Sequence, residues 1–124
     1  MIVKTPTVRI VGIIDRGIPR KERLHLSAVA NVNLNYYTVF DTVYAGQDAI
    51  DPIPRRAYWF ADYEVRAGDH VILYTKPGEQ STKLRNDGYT NHFFYWGLDR
   101  PLWKAPSSCA VLLEISNWET SPPG

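Results

Sequence analysis

From Leu24 onward the apolar side chains keep to even positions, Leu24, Leu26, Ala28, Ala30, Val32, Leu34 and Tyr36, and the odd positions between them are mostly polar: Arg23, His25, Ser27, Asn31, Asn33 and Asn35. Alternation of this kind sends every second side chain to one face of extended backbone, so the segment predicts a β-structure with one buried and one wet face. It is about twice as long as an ordinary strand. A bend is therefore expected near residues 28–31, where asparagine can take up left-handed backbone and bond to nearby main chain, and "YYTVF", residues 36–40, is expected to start another strand.

The rest of the chain reads the same way. "TVRIVGII", residues 7–14, is rich in β-branched residues and runs into the turn-like "DRGIPRK", residues 15–21. "AYWF" (57–60), "HVILYT" (70–75), "NHFFYW" (91–96) and "CAVLLEIS" (109–116) are short apolar runs bounded by turn residues, each of strand length. Between them lie two polar stretches without period, "AGQDAIDPIPRR" (45–56) and "KPGEQSTKLRNDG" (76–88), both expected to be long loops, and a turn around Gly68. No window of a dozen residues keeps a helical period. About seven to eight short strands separated by Gly, Pro, Asn and Asp predict an all-β fold, an immunoglobulin-like Greek-key β-sandwich.

Length narrows this to one domain over residues 1–124, with a core at about 7–118 and a frayed tail, "ETSPPG", at 119–124. A hydrophobic fraction of 44% against 22% charged residues suits a packed core. The net charge of +1 supplies no global field that would draw the molecule to phosphate, so nucleic-acid binding is permitted without being indicated. Cys109 is the single cysteine, which excludes an intramolecular disulfide and a thiolate zinc site and points to a reducing compartment. The apolar run Ile10 to Ile14 is too short to cross a bilayer and lacks the features of a signal peptide, so a cytoplasmic protein with no membrane attachment is expected.

The densest aromatic stretch is "HFFYWGLDRPLW", residues 92–103. Alternation places Phe94 and Trp96 on one face and Phe93 and Tyr95 on the other, and a sandwich whose sheets lie about 10 Å apart needs large side chains between them. Trp96 and Trp103 are therefore expected in the core. Binding residues are sought on the loops, where Arg55, Arg56, Lys83 and Arg85 stand near Tyr58, Trp59 and Tyr89, and where Arg100 follows the aromatic run. Arginine beside an aromatic ring suits a protein hot spot, and equally phosphate contact with stacking.

Catalytic and metal chemistry find little footing. His25, His70 and His92 lack ligand spacing, and Asp48 and Asp51, with Asp41 nearby, do not have the regular spacing of a calcium loop. Ser107, Ser108 and Cys109 sit in no strand-to-helix elbow, and neither "GIIDRG" nor "PGEQSTK" matches a phosphate loop. No catalytic residue, metal or cofactor is assigned. A small enzyme would instead have to gather His92, Asp87 or Asp99 in one cleft.

Four pieces in order, "ERLHLSAVANVNLNYYTVFDT", "YWFADYEVRAGDHVILYT", "NHFFYWGLDRPLW" and "AVLLEI", make the chain resemble the lamin-tail domain in its bacterial form across residues 22–116. The resemblance lies in Leu34, Tyr37, Val39 and Asp41, in Val65, Ala67, Gly68, Val71 and Tyr74, and in Tyr95, Trp96, Gly97 and Trp103. After Trp103 this chain has "KAPSSC" where the family usually has an Asn-rich, Gly-Asp turn. The resemblance implies an immunoglobulin-like sandwich that is non-catalytic and contacts a protein partner, DNA or a membrane as a scaffold. On these readings together the chain is expected to be an interaction module that meets a protein through the loops at 45–56 and 76–88. A homodimer through the edge strand at Ile10 to Ile14, a nucleic-acid-binding accessory domain and a small enzyme are the other readings.

Overall fold

A computed structural model describes residues 7–47 and 49–124 of the chain. The described residues form eleven strands: β1 (Val8–Ile14), β2 (Arg23–Ala28), β3 (Val32–Asn33), β4 (Tyr37–Gly46), β5 (Ala49–Ile50), β6 (Arg56–Trp59), β7 (Glu64–Val65), β8 (His70–Tyr74), β9 (Ser81–Leu84), β10 (Thr90–Tyr95) and β11 (Ser108–Glu114). The only helical element among them is a single 3-10 turn at Leu34–Tyr36. The molecule is an all-β sandwich. One layer is a five-stranded sheet in the order β1-β2-β8-β10-β9, and the other is built on β4, which pairs with β11 on one side and with β5 and β6 on the other. No helix of the described residues is long and apolar enough to cross a membrane.

Strand neighbours in the larger sheet are antiparallel except β8 and β10, which run parallel. The chain leaves β8, passes beyond the place β10 will take, returns as β9 at the rim, and turns back to insert β10 between them. The inner faces follow from alternation: Leu24 and Leu26 of β2, Val71 and Leu73 of β8 and Phe94 of β10 meet Tyr37 and Val39 of β4 in one core. Phe60, Leu34 and Trp103 from connections, and Val65 from the two-residue β7, fill the ends. Trp96 packs against this cluster, with its ring centroid 6.2 Å from that of Trp103, so both indoles contribute to the interior as expected.

Four expectations are corrected in detail. The even-position pattern holds through Leu34, but Tyr36 is exposed and Tyr37 is buried. The 3-10 turn, closed by Asn33 Oδ1 accepting from Asn35 N at 2.9 Å, inserts half a period and moves the buried set to odd numbers. The expected loop at 45–56 holds the end of β4, a short pairing of β4 with β5 and the first residue of β6, and its longest irregular stretch among the described residues is 51–55. The expected loop at 76–88 likewise contains β9, whose four residues are all exposed. A rim strand with no buried face has no reason to alternate, so it carries no hydrophobic period to read. The strand total rises above seven or eight because β3, β5 and β7 are two-residue pairings at the sandwich ends.

Buried carboxylates hold both ends together. Glu22, just before β2, accepts from Gly17 N at 2.7 Å, Leu102 N at 2.8 Å, Trp103 N at 3.0 Å and Thr75 Oγ1 at 3.0 Å. Three connections that approach the same end of the larger sheet are thereby tied to one side chain. At the opposite end Asp69 accepts from Arg66 N and Thr90 N as well as from the ring of His92. Tyr37 Oη joins the layers, accepting from Val8 N at 3.2 Å and donating to Glu114 Oε1 at 3.1 Å.

Candidate functional site

The two ends of β4 are covered differently on its outer side. Near Thr42 the irregular segment folds over the strand, and Thr42 Oγ1 donates to Asp51 O at 2.7 Å. Near Thr38 the cover is aromatic and wet. Strand register sets Leu113 of β11, Thr38 of β4 and Trp59 of β6 side by side, so Leu113 and Trp59 stand on one face on either side of a small residue. The chain after β11 stays attached through Ile115 N, which donates to Tyr36 O at 2.7 Å, and brings Trp118 over this row. Trp118 meets Trp59 edge to face with ring centroids 4.9 Å apart and lies 6.0 Å from Tyr36.

These four side chains keep much of their surface in water: Trp59 is 48% exposed, Tyr36 46%, Trp118 45% and Leu113 44%. The Trp59 indole N–H is anchored to Asn35 O at 2.8 Å, which fixes its orientation. A rigid cluster of half-exposed rings differs from scattered apolar residues in offering one continuous surface for another molecule.

Of the residues expected to bind, Trp59 is the centre of this patch. Arg56 opens the same strand, with its backbone N–H held by buried Asp41 Oδ1 at 2.8 Å, and Arg55 N donates to Asp41 O at 3.0 Å; both residues are exposed, three and four positions from Trp59. Tyr58 turns inward on β6, 5.0 Å from Phe60 and 5.7 Å from Trp96, and burial raises its phenol pKa. Lys83 is on β9 and Arg85 follows it, in the other sheet, where Arg85 is paired with Asp87. Tyr89 lays its ring against Gly68, where a Cβ would come within 2.2 Å of the ring carbon Cε1; with φ at +93° only glycine fits there. Arg100 is exposed in the connection after β10, 3.7 Å from Asp99. The expected residues thus divide between two sheets. Tyr36, Leu113 and Trp118 were not among them, because nothing in the local pattern marks residues that meet only through strand register and a returning tail.

A polar chain runs through the end of the sandwich that Asp69 closes. His92 Nε2 is 2.9 Å from Asp69 Oδ2 and its Nδ1 is 2.7 Å from Tyr63 Oη, beside a cleft of about 510 Å³ lined by Asn31, Glu64 and Arg66 among others. Burial pushes the Asp69 carboxyl up, but the His92 hydrogen bond and the two backbone donors outweigh it and hold the pKa below its ordinary value. Both ring nitrogens of His92 are occupied within the fold, so this chain of bonds braces the end of the sheet. Asp87, in the β9–β10 turn, pairs with Arg85, and Asp99, in the connection after β10, lies beside Arg100; the carboxylate that meets His92 is Asp69.

Asp41 and Asp51 are committed to backbone donors, Arg56 N and Ile53 N, and Asp48 lies outside the described residues. Among the described residues no three His, Cys, Asp or Glu side chains gather as a metal cluster. Burial raises the Cys109 thiol pKa, as suits a strand filler.

The fold and this surface define a β-sandwich whose buried charges brace its connections and whose outer face carries a wet aromatic cluster. No protein-family model matches the chain, and no curated protein matches it.

Proposed function

We propose that this chain is a non-catalytic interaction module, similar to a lamin-tail domain, that binds a protein partner through the outer face of the smaller sheet. The reading rests on one observation, the fixed and half-exposed cluster of Trp59, Trp118 and Tyr36 beside Leu113. Tryptophan, tyrosine and arginine dominate the energetics of protein interfaces, and a preoriented ring loses little entropy when it is covered. Arg55 and Arg56 are exposed at the other end of β6.

The test is affinity capture from the native host with the wild-type chain, the double variant Trp59→Ala/Trp118→Ala and the control Arg100→Ala, followed by titration of the purified partner. One partner should be retained by wild type and control, and the double variant should lose at least about 2 kcal/mol of affinity, the usual hot-spot scale. Equal binding by all three proteins would remove the reading. Binding of single-stranded nucleic acid that weakens steeply with salt and tracks Arg55, Arg56 and Lys83 would replace it with the nucleic-acid-binding one.

A further inference from the structure

The outer face of the larger sheet holds a pair of histidines that no sequence spacing announces. His25 and Arg23 alternate with the buried Leu24 and Leu26 on β2, and His70 opens β8, so all three outward side chains stand on the same side of the sheet. The strand register brings the two imidazoles together: His25 Nε2 is 2.9 Å from His70 Nδ1, with the rings at 71° to each other. Asn91 of β10 is the register neighbour of His70 on the far side, and its Oδ1 is buried with no hydrogen-bond partner.

We propose that His25 and His70 form a two-histidine site for a divalent transition-metal ion, with water completing the coordination sphere. The nitrogens are 2.9 Å apart because the rings share a hydrogen bond, and that spacing is also within reach of one metal ion. With metal–nitrogen bonds of about 2.0–2.1 Å, two ligands at a right angle lie about 2.9 Å apart and two at the tetrahedral angle about 3.3 Å apart. With a small turn of each ring the pair can occupy adjacent corners of a tetragonal or octahedral Cu(II) or Ni(II) sphere, whose ligand spacing is the closer to that observed.

The surroundings support the site. Burial first, and then neighbouring positive charge, holds both imidazoles below their ordinary pKa, so each is neutral at pH 7 with a lone pair to give. The proton shared between them moves to the other nitrogen of its own ring by exchange with water, so both facing nitrogens become ligands without any change in net protonation. Arg23 and Arg85, the nearby cations, are each already bound to a carboxylate, Asp15 and Asp87, which reduces their repulsion of an ion.

The test uses the full chain without an affinity tag, titrated at pH 7.5 with Cu(II), Ni(II) and Zn(II) salts in turn. One Cu(II) should bind per chain with two imidazole nitrogens in its electron paramagnetic resonance spectrum, and Zn(II) should bind more weakly. His25→Ala and His70→Ala should each lower Cu(II) affinity by about 100-fold or more, since each removes one of the two protein ligands. In the wild-type chain Cu(II) should broaden the ring protons of His25 and His70 and spare those of His92, a readout that does not depend on any variant folding. Absence of stoichiometric binding, broadening centred on His92 or the chain terminus, or undiminished binding by a folded His25→Ala/His70→Ala protein would overturn the proposal.

Discussion

Trp103 and Trp59 show how differently one residue type is used in this molecule. Trp103, in an irregular connection, is fully buried, packs against Trp96 and is held by the buried carboxylate of Glu22 through its backbone N–H. Trp59 sits in a regular strand, yet half of its surface is in water and its indole N–H is tied to the neighbouring turn. Regular structure therefore does not decide burial here. What decides it is the side of the sheet, because the inner faces must fill the space between two layers whereas the outer faces are covered only where a connection happens to cross them.

The contrast can be broken by experiment, and the largest effect is expected inside. Trp103→Ala should cost about 3–5 kcal/mol in chemical unfolding, the usual scale for emptying a site of this size. A loss below about 1 kcal/mol would mean that this end of the sandwich is loosely packed. Glu22→Gln should follow at about 2–3 kcal/mol, because the amide keeps one acceptor oxygen and replaces the other with a donor that faces buried N–H groups. Its exchange protection at Gly17, Leu102 and Trp103 should fall together, since one side chain serves all three. Trp59→Ala, by contrast, should lower stability by only about 1–2 kcal/mol, because much of its area is already wet. Circular dichroism should remain that of the folded protein, so any loss of partner binding is then a loss of surface.

The smallest effect is a pH dependence on the outer face of the larger sheet. His25 and His70 have folded pKa values below 6.5, so in acid the unfolded chain takes up protons that the folded one refuses. Stability should therefore decline as pH falls below about 6.5 and level off once the folded rings also protonate. Asp69 adds a second loss, since its folded pKa is depressed and its contribution disappears as pH falls below 3.8 through the folded value. Urea unfolding of His25→Gln/His70→Gln between pH 7.5 and 5 should give a flatter profile than wild type, and an unchanged slope would exclude the pair as its source.

Much of this was legible beforehand where burial left a period. The run from Leu24 to Leu34, the strand at 70–74 and the inward Phe94 all follow from alternation, and the Trp103 core position follows from the volume between two sheets. Alternation fails at Tyr36 because a three-residue turn changes the phase without any loss of β-like composition. β9 leaves no period in the sequence because a rim strand is wet on both faces. Among the binding candidates Trp59 is legible from its ring, whereas its neighbours Tyr36, Leu113 and Trp118 carry no local signal that joins them to it.

The amino-acid sequence by itself determined that the chain extends into strands and which faces of them seek the interior, because alternation is a local property of each segment. Only the tertiary structure decided which outward side chains become neighbours. His25 meets His70 from 45 residues away, and Trp59 meets Trp118 from the far end of the chain, through strand register and the path of connections. Such meetings cost the chain no pattern, since water surrounds these faces and imposes no period on them.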